Sequence, residues 1–290
     1  MKKCHLLVVS MILLFLSSLA WGEDLPWEMK LPFKEATIQY ILGGNQQGSE
    51  TLYIKDYGKL RAKHHKATTV VMGTTNKTDT LEIIDPDWIY SYNLIEKKGE
   101  KTTNPRKLYQ AEYSKLNAEE KRNFEKNSKE LGAGMMGKHG GSIKQNAEKI
   151  LGYDCDVTTV GGMSTVYMLH GSDIPLRTEV SMMGMKSSNA ATKVDTSSSI
   201  PASAFAPPPG ISAQLNIEME TMMADTIKNS IDTLKRPDGA QKMLQSGPGM
   251  GLGGMQKGME AEGMSKEEQQ EMMQQVEAAM KQMKKRTPQQ

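Results

Sequence analysis

The chain has 290 residues, 36 basic against 34 acidic side chains, 23 methionines, two cysteines and only 6% aromatic residues. A net charge of +2 gives no global attraction for nucleic acid, which excludes that partner class. The length suits one domain of about 150–200 residues with an appendage, or two small domains.

The N-terminus reads MKKCHLLVVSMILLFLSSLAWGED. Lys2 and Lys3 precede an apolar run from Leu6 to Leu16, and Ala20 and Gly22 stand where a cleavage enzyme needs small residues. This is the layout of a secretory leader spanning 1–22, cleaved near Gly22. The apolar run is short for a bilayer span of about 20 residues, and no other long apolar run follows. The expectation is therefore an exported, periplasmic product with no transmembrane segment. Its formal charge falls to zero once Lys2 and Lys3 are removed.

From Glu35 to about Asn93 the chain alternates in short strands. Ile38, Tyr40 and Leu42 share one face of the first, and Leu52 and Ile54 continue the pattern. A turn at Asp56–Gly58 follows, then Leu60 and Ala62, the β-branched Thr68–Val71, and a stop at Asp85–Pro86. Trp88, Tyr90 and Tyr92 then align on one face. Such short connections predict an antiparallel meander.

The period changes in the middle. Asn117 to Leu131 reads as a polar surface helix, with Asn117 and Glu120 forming a capping box. GAGMMGKHGGS reads as a glycine-rich loop, and Ser142 to Leu151 as a short helix ended by Gly152. Strands are expected again at Tyr153–Val160, Met163–His170, Arg177–Met183 and Ala190–Thr196. In the first of these, Tyr153, Cys155 and Val157 share a face. Cys155, alone once the leader is gone, is expected to point into the core as a small hydrophobe. IPASAFAPPPG closes the region as a sheet edge or terminus, because its prolines cannot donate to a ladder.

Beyond Gly210 the pattern is helical. Leu215, Met219, Met223, Ile227, Ile231 and Leu234 form one stripe over 211–235. Residues 236–264, rich in Gly and Met, read as a flexible linker. A capping box at Ser265–Glu268 opens an amphipathic helix over 265–290, with Met272, Val276, Ala279, Met280 and Met283 on one face.

Three elements carry a resemblance: Gly152-Tyr153-x-Cys155, Ile174-Pro175-Leu176 after a turn, and Ile200-Pro201-x-Ser203-x-Phe205 running to Pro208 and Gly210. With the strand meander and central helix, the span 23–210 resembles exported bacterial proteins whose domain is similar to the lipoprotein-localisation carrier. The resemblance implies an α+β fold in which a curved antiparallel half-barrel sheet wraps helices, followed here by a helical, partly disordered C-terminal tail. It also implies a concave face that holds acyl chains or a lipoprotein. Apolar strand residues that could line it are Ile38, Tyr40, Leu52, Ile54, Trp88 and Tyr90. Alternation alone does not choose between the two faces, so this set draws from both. The Met-rich tail departs from the carrier's pattern and could serve as a lid.

Two further clusters compete for a role. KLRAKHHK places Lys59, Arg61 and Lys63 on one strand face, either as contacts to anionic headgroups or as a solvated face that discourages aggregation. Met135, Met136 and His139 offer soft ligands of the kind that select Cu(I). No catalytic constellation stands out: the histidines form no HExxH, the single thiol no CxxC, and Asp85 and Asp87 read as a turn. The expected function is therefore a non-enzymatic binding protein without a cofactor, holding a lipid-like ligand or an envelope protein. The alternatives are a Cu(I)-binding protein and an assembly scaffold.

Overall fold

The structure is a computed structural model that describes residues 31–246, apart from 72, 73, 139, 183 and 184. The expected leader (1–22), the tail helix (265–290), its lid role and His139 lie outside the described residues. Among the described residues the architecture is α+β, built on one open, twelve-stranded sheet. Described residues up to Ala240 belong to one compact unit; Gln241–Ser246 belong to a second.

Two meanders make the sheet. The first is β1 (Ala36–Gly44), β2 (Gln46–Lys55), β3 (Leu60–Val71), β4 (Thr74–Ile84), β5 (Trp88–Asn93) and β6 (Lys98–Thr103). The second is β7 (Ser142–Ile150), β8 (Tyr153–Val160), β9 (Ser164–Leu169), β10 (Pro175–Met182) and β11 (Met185–Asp195). Within each meander, sequence neighbours pair antiparallel. The meanders join where β1 pairs with β11, so the first and last of these strands lie side by side in mid-sheet. A twelfth strand, β12 (Ala213–Leu215), adds to β6 in parallel. Gly99 permits this approach, since a side chain there would meet the Tyr92 ring and the Ser212 carbonyl, each at 2.8 Å.

Helices α1 (Pro105–Ser114) and α2 (Ala118–Lys138) connect the meanders, and α3 (Ile217–Leu234) and α4 (Gly239–Ser246) follow the sheet. Asn104 caps α1 by accepting from the Arg106 amide, with Pro105 preset for the first turn. Asn117 and Glu120 form the expected reciprocal box. The α3 cap is Asn216, which accepts from Met219 N. Ile227, Ile231 and Leu234 form the buried part of the α3 stripe. The buried Asn127 amide of α2 donates to the carbonyls of Leu234 and Arg236, satisfying the end of α3. Among the described residues no helix is long and apolar enough to cross a membrane.

Four local readings change. The expected helix at Ser142–Leu151 is not formed; Ser142–Ile150 is strand β7. Its helix-forming composition yields to a two-residue turn at Leu151 and Gly152, both at positive φ, which folds it back on β8. Residues 132–138 of the expected glycine-rich loop are instead the last part of α2, which runs to Lys138 through Gly132, Gly134 and Gly137. Met185–Asn189, which separates the strands expected at Arg177–Met183 and Ala190–Thr196, is itself extended and belongs to β11. Residues 213–215 form a strand, and the following helix starts only after Asn216. Of the expected 236–264 linker, the described part carries a turn and α4; the rest lies outside the described residues.

At one end of the sheet Asn45 ties hairpins together. Its amide donates to Lys186 O (2.7 Å) and its side-chain oxygen accepts from Lys186 N (2.8 Å). Its carbonyl accepts from Val70 N (2.9 Å), and its side-chain amide donates to Val70 O (3.4 Å).

Candidate functional site

Strand register sorts the candidate residues by face, because side chains alternate along a strand and paired residues share a side. One row on the first face runs Ala36, Ile54, Arg61, Ile84, Ile89, Thr102. The next runs Ile38, Leu52, Lys63, Glu82, Ser91, Glu100, and the third Tyr40, Glu50, His65, Thr80, Asn93, Lys98. Trp88 and Tyr90 belong to the opposite face, where the row is Tyr53, Ala62, Ile83, Tyr90, Lys101. The structure therefore brings Ile38, Tyr40, Leu52 and Ile54 together and separates them from the two aromatic residues.

The first face is apolar and closed at β1. Ile38 and Ile54 are fully buried with Leu31, Cys155, Leu169, Ile174 and Leu176. The buried Tyr40 hydroxyl donates to Pro175 O at 3.0 Å, and burial, then the nearby Glu50 charge, push its pKa up. Leu52 is only half-buried at the rim of this cluster. Burial is also the main cause that raises the Cys155 thiol pKa.

Across β2 to β4 the same face turns polar. His65 Nδ1 lies 2.9 Å from a Glu50 carboxylate oxygen and Nε2 lies 3.1 Å from the Gln46 amide nitrogen. A carboxylate only accepts and an amide nitrogen only donates, so in the neutral ring these contacts place the proton on Nδ1. Asn189 of β11 donates to the other Glu50 oxygen at 3.2 Å. Burial disfavours the Glu50 charge, but the His65 and Asn189 bonds and the Lys63 charge outweigh it and hold the carboxyl below its usual range. Lys63 meets Glu82 at 3.2 Å, and the Glu82 and Glu50 charges raise its pKa against the opposing effect of burial. Arg61 grips Asp173 with two bonds of 2.8 and 2.9 Å, and Arg106 of α1 reaches the same carboxylate at 3.4 Å.

The expected cationic face is thus largely matched within the chain: of its three members, Arg61 and Lys63 meet carboxylates, and Lys59 is exposed. The polar cluster of Gln46, Glu50, His65 and Asn189 was not anticipated. Its one sequence signal was the alternation Arg61, Lys63, His65, which needs acidic partners from neighbouring strands.

The opposite face holds aromatic residues. Tyr90 and Tyr92 stack at 6.4 Å, Lys101 lies 4.4 Å from the Trp88 ring centre, and Phe205 packs edge-on to Tyr53. Ile211 and Ala213 join Phe205 in covering the buried Ala62, Ile83 and Tyr92. Met135 and Met136 lie in the last turns of α2. Among the described residues no group of three His, Cys, Asp or Glu side chains could hold a metal ion. An open depression of about 500 Å³ lies between Phe33–Glu35 and Thr196–Ser199. At its margin the Asp195 carboxylate accepts from the amides of Ser197 and Ser198 and from Lys193, which hold its pKa well below the usual range.

No protein-family model matches this chain, and no curated protein matches it. Among solved structures it is similar to an uncharacterised conserved protein from Thermus thermophilus, at 10% identity and a TM-score of 0.34, covering 62% of this chain and 90% of that one. It is also similar to PNGF-II in two crystal forms, each at 14% identity and a TM-score of 0.30, covering 67% and 66% of this chain. The match spans 33% of the PNGF-II chain.

Proposed function

We propose that the protein is a non-enzymatic binding protein of the bacterial envelope, exported to the periplasm, which holds an amphipathic ligand against the sheet. The open sheet is taken as a curved half-barrel of the kind found in the lipoprotein-localisation carrier, wrapped around helices. The observation that carries the reading is the mixed, half-buried surface of β2 to β5. There the half-buried Ile84 and Ile89 of one cross-strand row adjoin Leu52, Lys63, Glu82 and the exposed Ser91 of the next.

An amphiphile would lay its apolar part along Leu52, Ile84 and Ile89 and its polar head against the Lys63–Glu82 pair. Each Å² of apolar surface removed from water contributes about 25 cal/mol. The fully buried Ile38 and Ile54 support the floor of this surface from within the core and do not touch the ligand.

The test is gentle extraction of the protein from cells, mass spectrometry of whatever co-purifies, and titration with a fluorescent fatty acid. Saturable binding that Ile84→Glu abolishes, with an unchanged circular dichroism spectrum, supports the reading. Absence of any co-purifying amphiphile together with no saturable binding overturns it.

A further inference from the structure

The two ends of the sheet differ in what they leave unpaired. One end is the three-residue β12, directly continued by α3. The other is β7, nine residues long, with eight of them exposed. Among the described residues only one side of β7 is hydrogen-bonded, to β8, so within them its outer side presents free backbone donors and acceptors, the usual template for strand addition. A bulge divides it: between the pairs Lys144–Val157 and Glu148–Cys155, three residues of β7 face one of β8. Asn146 sits at its centre with φ 49°, and its amide bonds the Asp156 carboxylate. Two straight arms remain, 142–144 and 148–150.

The charges on these arms are arranged about that centre. Lys149 is paired with Asp154 on β8. Lys144 and Glu148 are exposed and, among the described residues, have no ion-pair partner. They lie two residues to either side of Asn146. We propose that β7 is a homodimer edge, pairing antiparallel with β7 of a second copy about a twofold axis at Asn146. In that register Lys144 of each copy lies opposite Glu148 of the other, so both unpaired charges are matched twice over, as a self-complementary interface requires. Ser142 faces Ile150 and Ile143 faces Lys149. The bulge falls on the axis and leaves the pairing to the arms. A hydrophobic occupant is disfavoured, because apart from Ile143 and Ile150 the strand is polar or small. The second copy supplies the opposite charges in the correct order.

The test uses purified, untagged full-length protein, followed by analytical ultracentrifugation across a concentration series. The wild type is compared with Lys144→Glu, Glu148→Lys and the double exchange. Each single reversal sets like charges opposite one another at two symmetric positions and should weaken dimerisation roughly tenfold or more, relieved by added salt. The double exchange restores the match and should restore the dimer. A wild-type protein that stays monomeric up to about 100 μM, well above the micromolar range of a weak specific dimer, overturns the proposal. So does a dimer that ignores the single reversals, or one that the double exchange fails to rescue.

Discussion

The seam between β1 and β11 and the strands β2 to β4 share one sheet face, yet they are packed in opposite ways. At the seam, Ala36, Ile38 and Tyr40 meet side chains from β8 to β10 and the turn before β10 and are sealed from water. Two strands away, the same alternation carries Arg61, Lys63 and His65, whose charged or polar ends are matched by Asp173, Glu82 and Glu50 and stay partly hydrated. The difference teaches that alternation marks a face without saying whether that face becomes a core or a surface for something else. What decides is whether another part of the chain supplies apolar cover.

The comparison can be broken most severely in the sealed cluster at the seam, which the Ile54 side chain of β2 joins. Ile54→Ala empties a fully buried site and should cost about 2–5 kcal/mol in urea unfolding, whereas Leu52→Ala on the half-buried rim should cost well under half of that. Equal losses would show that the rim is as closed as the seam. Next comes the tie between the regions. Asp173→Ala leaves Arg61 and Arg106 facing each other without their carboxylate. Because the side chains are 13% exposed for Arg61 and Asp173, the loss should be about 2–3 kcal/mol, below that of a fully buried pair.

Glu50→Gln sharpens the contrast through pH. The folded-state pKa of Glu50 is lowered, so its carboxylate stabilises the protein above the unfolded value, near 4.3, and this is lost as pH falls through the folded value. The gap between wild type and variant should be about 1–2 kcal/mol at neutral pH and shrink below about pH 4, read from chemical denaturation at each pH. The smallest effect is expected for Lys63→Met. Its partly exposed pair should change stability by less than about 1 kcal/mol in either direction.

Much of the fold was legible. Turn residues and alternation gave most of the strands, and Asn117 with Glu120 announced a helix start that the hydrogen bonds reproduce. Cys155 was readable as a core residue from its neighbours alone, and it is fully buried. β7 was not legible, because Lys, Gln, Ala and Glu favour a helix and only pairing with β8 holds them extended. The glycines of α2 misled in the other direction: each costs a helix about 1 kcal/mol relative to Ala, a penalty that the rest of a 21-residue helix absorbs. For the candidate surface, alternation grouped Ile38 with Tyr40, and Trp88 with Tyr90. Placing those pairs on opposite faces required the register across five strands, which no local pattern encodes.

Asn45 has a consequence for how the sheet loosens. It lies in the link from β1 to β2 and is bonded to Val70 in β3 and Lys186 in β11. Fraying at that end cannot proceed one hairpin at a time. Amide protons there should exchange with solvent in a single concerted opening, and Asn45→Ala would split that event into separate, faster ones.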